Sequence, residues 1–254
     1  MRSMRGDRVR LTALANVALF LASVVGLVTV DDSTDGVLVA AAEATARSGT
    51  AAFSIEMSME TGGEPMRSHG TGRIDFGRKR FILTLQGFSA SETINDDGVV
   101  YVRTGAPGRK PWIAFDRGAK GVPMPVDAGL GSGDPLQALE ALRRGGVARN
   151  VKIDGTEEVR GTPTTRWVAD LDTKKLGGVS DANRQFLEAL GIRHIRYSLW
   201  LSDDGVVRRM RTVAEGTSMS TAATTELYDF GVAAEIEVPP ADQVERIDLS
   251  PPRR

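Results

Sequence analysis

The chain has 254 residues, 32 Lys+Arg against 33 Asp+Glu, two His and no Cys. A formal net charge of −1 argues against a dedicated nucleic-acid binder, which carries a basic excess. The absence of Cys excludes a disulfide scaffold, a thiol nucleophile, a Cys-ligated zinc and an iron–sulfur cluster. Two His, at positions 69 and 194, leave little for metal ligation or for proton transfer near neutral pH.

Arg2, Arg5, Arg8 and Arg10 precede an uncharged, mostly Leu, Val and Ala run from Leu11 to Val30, which Asp31 and Asp32 close. A basic start followed by an apolar stretch reads as an export signal. Twenty residues at a 1.5 Å rise span about 30 Å, enough to cross a bilayer. Val28-Thr29-Val30 is a poor cleavage site, so residues 1–30 are expected to be a signal peptide or a retained N-terminal membrane anchor. The Arg cluster directs the rest of the chain outward. The expected domain is then residues 31–249, with 250–254 a disordered tail. Without residues 1–30 the chain keeps 28 basic and 32 acidic residues, net −4.

Thr34 or Asp35 caps a helix with Val37, Leu38, Ala41 and Ala42 on its apolar side, and Gly49 ends it. Phe53, Ile55, Met57 and Met59 then alternate with Ser54, Glu56, Ser58 and Glu60, the period of a strand with one wet face. A turn at 62–65 leads to a polar strand over 66–76. Phe81, Leu83 and Leu85 mark a third strand. Asp97-Gly98 and Asp203-Asp204-Gly205 read as tight hairpin turns, not calcium loops, because the Asx spacing of a calcium site is missing.

Residues 104–133 are rich in Gly and Pro and read as a long loop around a short strand, Trp112 to Phe115. Asp134-Pro135 opens a second helix with Leu136, Leu139 and Leu142 on one side. Strands are expected at 147–153, 157–160 and 164–171, the last with Thr165, Trp167, Ala169 and Leu171 on one face. A third helix follows Asp181. Three strands close the domain: 195–201, with Ile195, Tyr197, Leu199 and Leu201 on one face, then 206–214 and 218–230. From Val238 the chain reads as mostly irregular. Roughly ten hairpin-linked strands and three short helices indicate an α+β fold, a large curved antiparallel sheet with helices gathered on one face.

No catalytic constellation emerges. Gly129 to Asp134 fits neither a dinucleotide loop nor a nucleophile elbow and reads as a helix entry. His69 and His194 read as surface residues. Glu157 and Glu158 point to opposite faces of a strand, which does not make a glycosidase pair. Arg208, Arg209 and Arg211 could meet an anionic headgroup or simply coat a solvated strand. No catalytic residue, cofactor or metal is expected. What remains is apolar surface: Phe53, Ile55, Met57, Met59, Phe81, Leu83, Leu85, Trp167, Leu171, Tyr197, Leu199 and Leu201 are placed on one side of the sheet as candidates for lining an apolar cavity.

Several short motifs occur in a telling order: Ala52-Phe53-Ser54-Ile55-Glu56-Met57, Asp134-Pro135-Leu136, Val159 to Thr165, Leu199-Trp200-Leu201 running into Asp204 to Met210, Tyr228-Asp229-Phe230-Gly231, and Pro239 to Val244. Over roughly residues 35–249 the chain resembles the LppX/LprG lipid-carrier lipoproteins and, more distantly, the LolA/LolB carriers. The resemblance implies a half-barrel of antiparallel strands wrapped over helices, an apolar cavity, and non-catalytic binding and transport of a lipid or acylated glycolipid at the cell envelope. The expected location is extracytoplasmic, at the outer face of the cytoplasmic membrane or secreted, and the oligomeric state is left open. Such proteins carry a lipobox Cys. Here Val24-Val25-Gly26 is followed by Leu27, so lipidation is excluded and attachment would fall to the apolar segment. The other expectation is an envelope sensor or protein-interaction module, like anti-sigma regulators of this architecture.

Overall fold

The computed structural model describes residues 35–88, 91–103, 110–116, 135–136, 139, 149–172, 188–192, 194–217 and 219–248. The expected leader, the tail beyond 250 and most of the second and third helices lie outside these residues. Among the described residues, no helix is long and apolar enough to cross a membrane.

Helix α1 (Asp35–Arg47) is followed by strands β1 (Thr50–Glu60), β2 (Met66–Asp75), β3 (Arg80–Gly87), β4 (Ser91–Asp96), β5 (Val99–Arg103) and β6 (Trp112–Asp116). The second half supplies β7 (Arg149–Val159), β8 (Thr162–Asp172), β9 (His194–Leu201), β10 (Val207–Glu215) and β11 (Ser220–Tyr228). A 3-10 turn (Ala241–Gln243) and β12 (Val244–Arg246) end it. All twelve strands form one sheet, in the order β12-β6-β5-β4-β3-β2-β1-β11-β10-β9-β8-β7. Two meanders, β1 to β6 and β7 to β11, are joined where β1 pairs with β11. Every pairing is antiparallel except β12 on β6.

The alternation read in β1 is the alternation of burial. Phe53, Ile55, Met57 and Met59 are buried, while Glu56 and Glu60 are exposed. The register carries this inner face across the sheet in rows. One row runs Leu85, Gly70, Ile55, Thr225, Met210, Leu199, Trp167. The next runs Ser68, Met57, Ala223, Thr212, Tyr197, Ala169. Helix α1 lays Leu38, Ala41 and Ala42 on this face, and Leu136, Leu139 and Ile192 join the same cluster. Thr45 fixes the helix to the sheet: its hydroxyl donates to Ala41 O at 2.7 Å and accepts the buried Val207 N–H at 2.9 Å.

The glycines of β2 shape the floor. A Cβ on Gly72 would stand 2.2 Å from Ile82 O and 2.4 Å from Phe53 Cζ, so the Phe53 ring occupies the space that a side chain would need. Its edge meets Phe81, with ring centres 6.4 Å apart at 79°. The hairpin expected at Asp97-Gly98 is present, both residues at positive φ, 44° and 94°, as a tight two-residue turn requires.

Three sequence expectations are corrected. Residues 147–153 and 157–160 are not two strands: β7 is one strand, and Asp154-Gly155 falls within a register shift instead of a turn. The chain after Val238 is not merely irregular, because β12 pairs with β6. The strand expected over 218–230 is shorter, Ser220–Tyr228.

The opposite, outer face also has a core at one end. Ile94, Tyr101, Trp112 and Ala114 are buried there beneath Ile236, with Ala234, Val238 and Val244 packed around them. The chain reaches them by crossing the outer face. Gly231 N–H donates to Thr50 O, the Thr50 hydroxyl donates to Val232 O, and Arg73 reaches Ala233 O. At the other end β7 is the sheet edge. It is almost wholly exposed and is studded with Arg149, Lys152, Asp154, Glu157 and Glu158, charges that discourage edge-to-edge association.

Candidate functional site

The two faces of the sheet differ in chemistry, a buried apolar cluster on one and an open charged groove on the other. On the inner face, ten of the twelve residues expected from sequence are buried in a single cluster: Phe53, Ile55, Met57, Met59, Phe81, Leu83, Leu85, Tyr197, Leu199 and Leu201. Trp167 is half-buried and packs against it. Leu171 pairs in register with Ile195, and its side chain lies outside the described residues. The cluster spans six adjacent strands, β3-β2-β1-β11-β10-β9, a width of about 24 Å at roughly 4.8 Å per strand.

Small side chains stand on the strands to either side of β1. Ser68, Gly70 and Gly72 stand on β2, Thr221, Ala223 and Thr225 on β11, and Thr212 and Ala214 on β10. Between β2 and β11 runs β1 with its large buried Phe53, Ile55, Met57 and Met59, and large side chains stand further out, Phe81 and Leu83 on β3 and Tyr197 and Leu199 on β9. Tyr197 is 2% exposed, and its hydroxyl has no hydrogen-bond partner. Burial pushes its phenol above the ordinary value of 10.0, so it remains a proton donor.

On the outer face, β7 to β11 and β1 enclose an open groove of about 1080 Å³ lined by charge. Trp200 is its buried aromatic, 4% exposed, with the Arg209 and Arg166 guanidiniums 5.2 and 5.8 Å from the ring centre. The Trp200 indole N–H donates to Glu157 Oε1. Arg209 bridges Glu157, at 3.3 Å, and Glu226, at 2.7 Å. Arg160 donates to Glu226 at 2.7 Å and to the Ser54 hydroxyl at 3.0 Å, and it stacks 3.9 Å from the centre of the Tyr228 ring. Arg166 pairs with Asp154, and Arg196 lies 4.0 Å from Asp170.

Burial alone would raise the Glu226 carboxyl, but hydrogen bonds from Arg209 and Arg160 overcome it and hold the group below its ordinary value. Glu226 is thus ionised and salt-bridged, which is the opposite of a general acid. Its folded-state value is depressed, so its contribution to stability is present above the unfolded value and is lost as pH falls. The wild-type urea midpoint should therefore drop on acidification through the ordinary glutamate value of 4.5. Glu226→Gln should start lower at neutral pH and lose less over the same interval. Parallel curves for the two proteins would refute this.

The Arg208, Arg209 and Arg211 cluster divides. Arg208 stacks 4.7 Å from the Phe230 ring and donates to the Ser202 hydroxyl, whereas Arg209 and Arg211 line the groove. His69 is exposed and borders a smaller depression of about 400 Å³ that shares Glu56, Arg211 and Thr224 with the groove. The His194 side chain lies outside the described residues. The second Asp-Gly turn is a turn: the Asp204 carboxylate accepts from the Ser202 hydroxyl and the Val206 N–H.

The sequence reading missed the groove and Trp200. A signal was available in Leu199-Trp200-Leu201, three consecutive large apolar residues that require cover on both faces of the strand.

No protein-family model matches the chain, and no curated protein matches it. Solved structures are similar in fold. LprF from Mycobacterium bovis has 13% identity over 82% of this chain and 96% of that one, with a TM-score of 0.42. The lipoprotein LppX of Mycobacterium tuberculosis has 11% identity over 79% and 100%, with a TM-score of 0.39. The MucA/MucB complex of Pseudomonas aeruginosa has 16% identity over 83% of this chain and 59% of that one, with a TM-score of 0.34.

Proposed function

We propose that the protein is a non-catalytic lipid-binding protein of the cell envelope, which holds acyl chains against the inner face of its sheet and passes them on. The observation that carries this reading is the continuous apolar cluster that extends across six adjacent strands of one face of the sheet. Keeping a sixteen-carbon chain in water costs about 12 kcal/mol, at ~0.8 kcal/mol per methylene. A face lined by Met, Leu, Ile and Phe removes most of that cost, and transfer to and from a bilayer then becomes nearly balanced. Such work needs shape and apolar lining. It uses neither His nor Cys.

The sequence resemblance supports an extracytoplasmic location, with residues 1–30 as signal or anchor. Native mass spectrometry of the full chain purified from membranes should show a mass increment that organic extraction releases as acylated lipid. A bare-mass protein that takes up no lipid from vesicles would defeat the reading.

The outer groove favours a second reading, a docking surface for a protein. Its mixed charges and Trp200 are the features that a polar interface uses. A stoichiometric protein partner, lost on Trp200→Ala and bound in the absence of lipid, would support it over the first.

A further inference from the structure

Three polar side-chain atoms among the described residues are buried without a partner: Asn95 Oδ1, Arg166 Nε and the Tyr197 hydroxyl. Two of them belong to groups that are otherwise engaged. The Asn95 amide donates to Lys79 O at 2.9 Å, and Arg166 is salt-bridged to Asp154. Tyr197 has only its hydroxyl, and that hydroxyl sits inside the apolar cluster. Leaving it unpaired is unfavourable, and phenylalanine in the same space would avoid that cost. Its in-register neighbours are Thr212 and Ala169, with Ala223 one strand further, so small side chains stand on both sides of the ring in its row.

We infer that the Tyr197 hydroxyl is the polar anchor of the lipid site, donating a hydrogen bond to the acyl carbonyl of a chain lying on the inner face. The inference rests on the lipid-binding reading and names the ligand's recognised group, an ester or carboxyl C=O. A pure hydrocarbon would fill the same face and leave the donor empty.

The test is the uptake of three labelled ligands, hexadecane, methyl palmitate and palmitic acid, delivered from cyclodextrin to the full chain and to its Tyr197→Phe variant. The variant should bind methyl palmitate about five- to tenfold more weakly, the worth of one hydrogen bond, and hexadecane within twofold of wild type. Palmitic acid separates the sources: weakening of the ester alone assigns an esterified lipid, and weakening of both assigns the carbonyl in general. Equal change for all three ligands, or none, overturns the anchor and leaves the lipid-binding reading standing. Binding of none of the three by wild type removes both. A second measurement does not depend on how the variant folds. The infrared band of carbonyl-labelled methyl palmitate bound to wild type should lie below its position in hexane. An unshifted band also overturns the proposal.

Discussion

Phe53→Ala should lower the free energy of unfolding by about 3–5 kcal/mol. Phe53 is fully buried near the middle of the inner face, with its edge on Phe81 and its ring in the space left by Gly72. Its β-strand neighbours are fixed by the ladder on both sides, through Gly72 and Leu227, so the sheet cannot easily collapse into the void. Urea denaturation at constant m-value measures the loss. A loss below about 1.5 kcal/mol would mean that the site relaxes and that Phe53 is not a keystone of this face.

Gly72→Val should be damaging for the converse reason. The new Cβ meets Phe53 Cζ, which can move, and Ile82 O, which belongs to the β3 backbone and cannot move without breaking the ladder. Overpacking of this kind costs about 1–3 kcal/mol, and the backbone contact places the variant at the upper end. The two substitutions share one space, so the double variant should lose measurably less than the sum of the singles. Strict additivity would contradict the packing described here.

These positions also show what the sequence made legible. Alternation in Phe53 to Met59, Phe81 to Leu85 and Ile195 to Leu201 identified the strands and their inner faces, because a half-buried strand imposes period two on its side chains. What that pattern could not convey was pairing at long range. Glu157 meets Trp200 across 43 positions, and Arg160 meets Glu226 across 66. In sequence each is an ordinary charge on a wet strand. The outer core of Ile94, Tyr101 and Ile236 was hidden because its cover is an extended segment, Ala234 to Val238, without regular structure of its own. Its trace was the unbroken run Val99-Val100-Tyr101-Val102, which buries both faces. The extra strand was missed because three residues, Val244–Arg246, carry no periodicity to read.

On the proposed reading, acyl chains lie on the inner face and not in the outer groove. Photo-crosslinking tests it most directly, with a palmitoyl lipid bearing a diazirine at the chain end and peptide mapping of the adducts. The adducts should fall on inner-face side chains such as Ile55, Met210 and Leu199. Labelling confined to groove residues such as Lys152, Trp200 and Arg211, or no labelling above that of free probe, would contradict it.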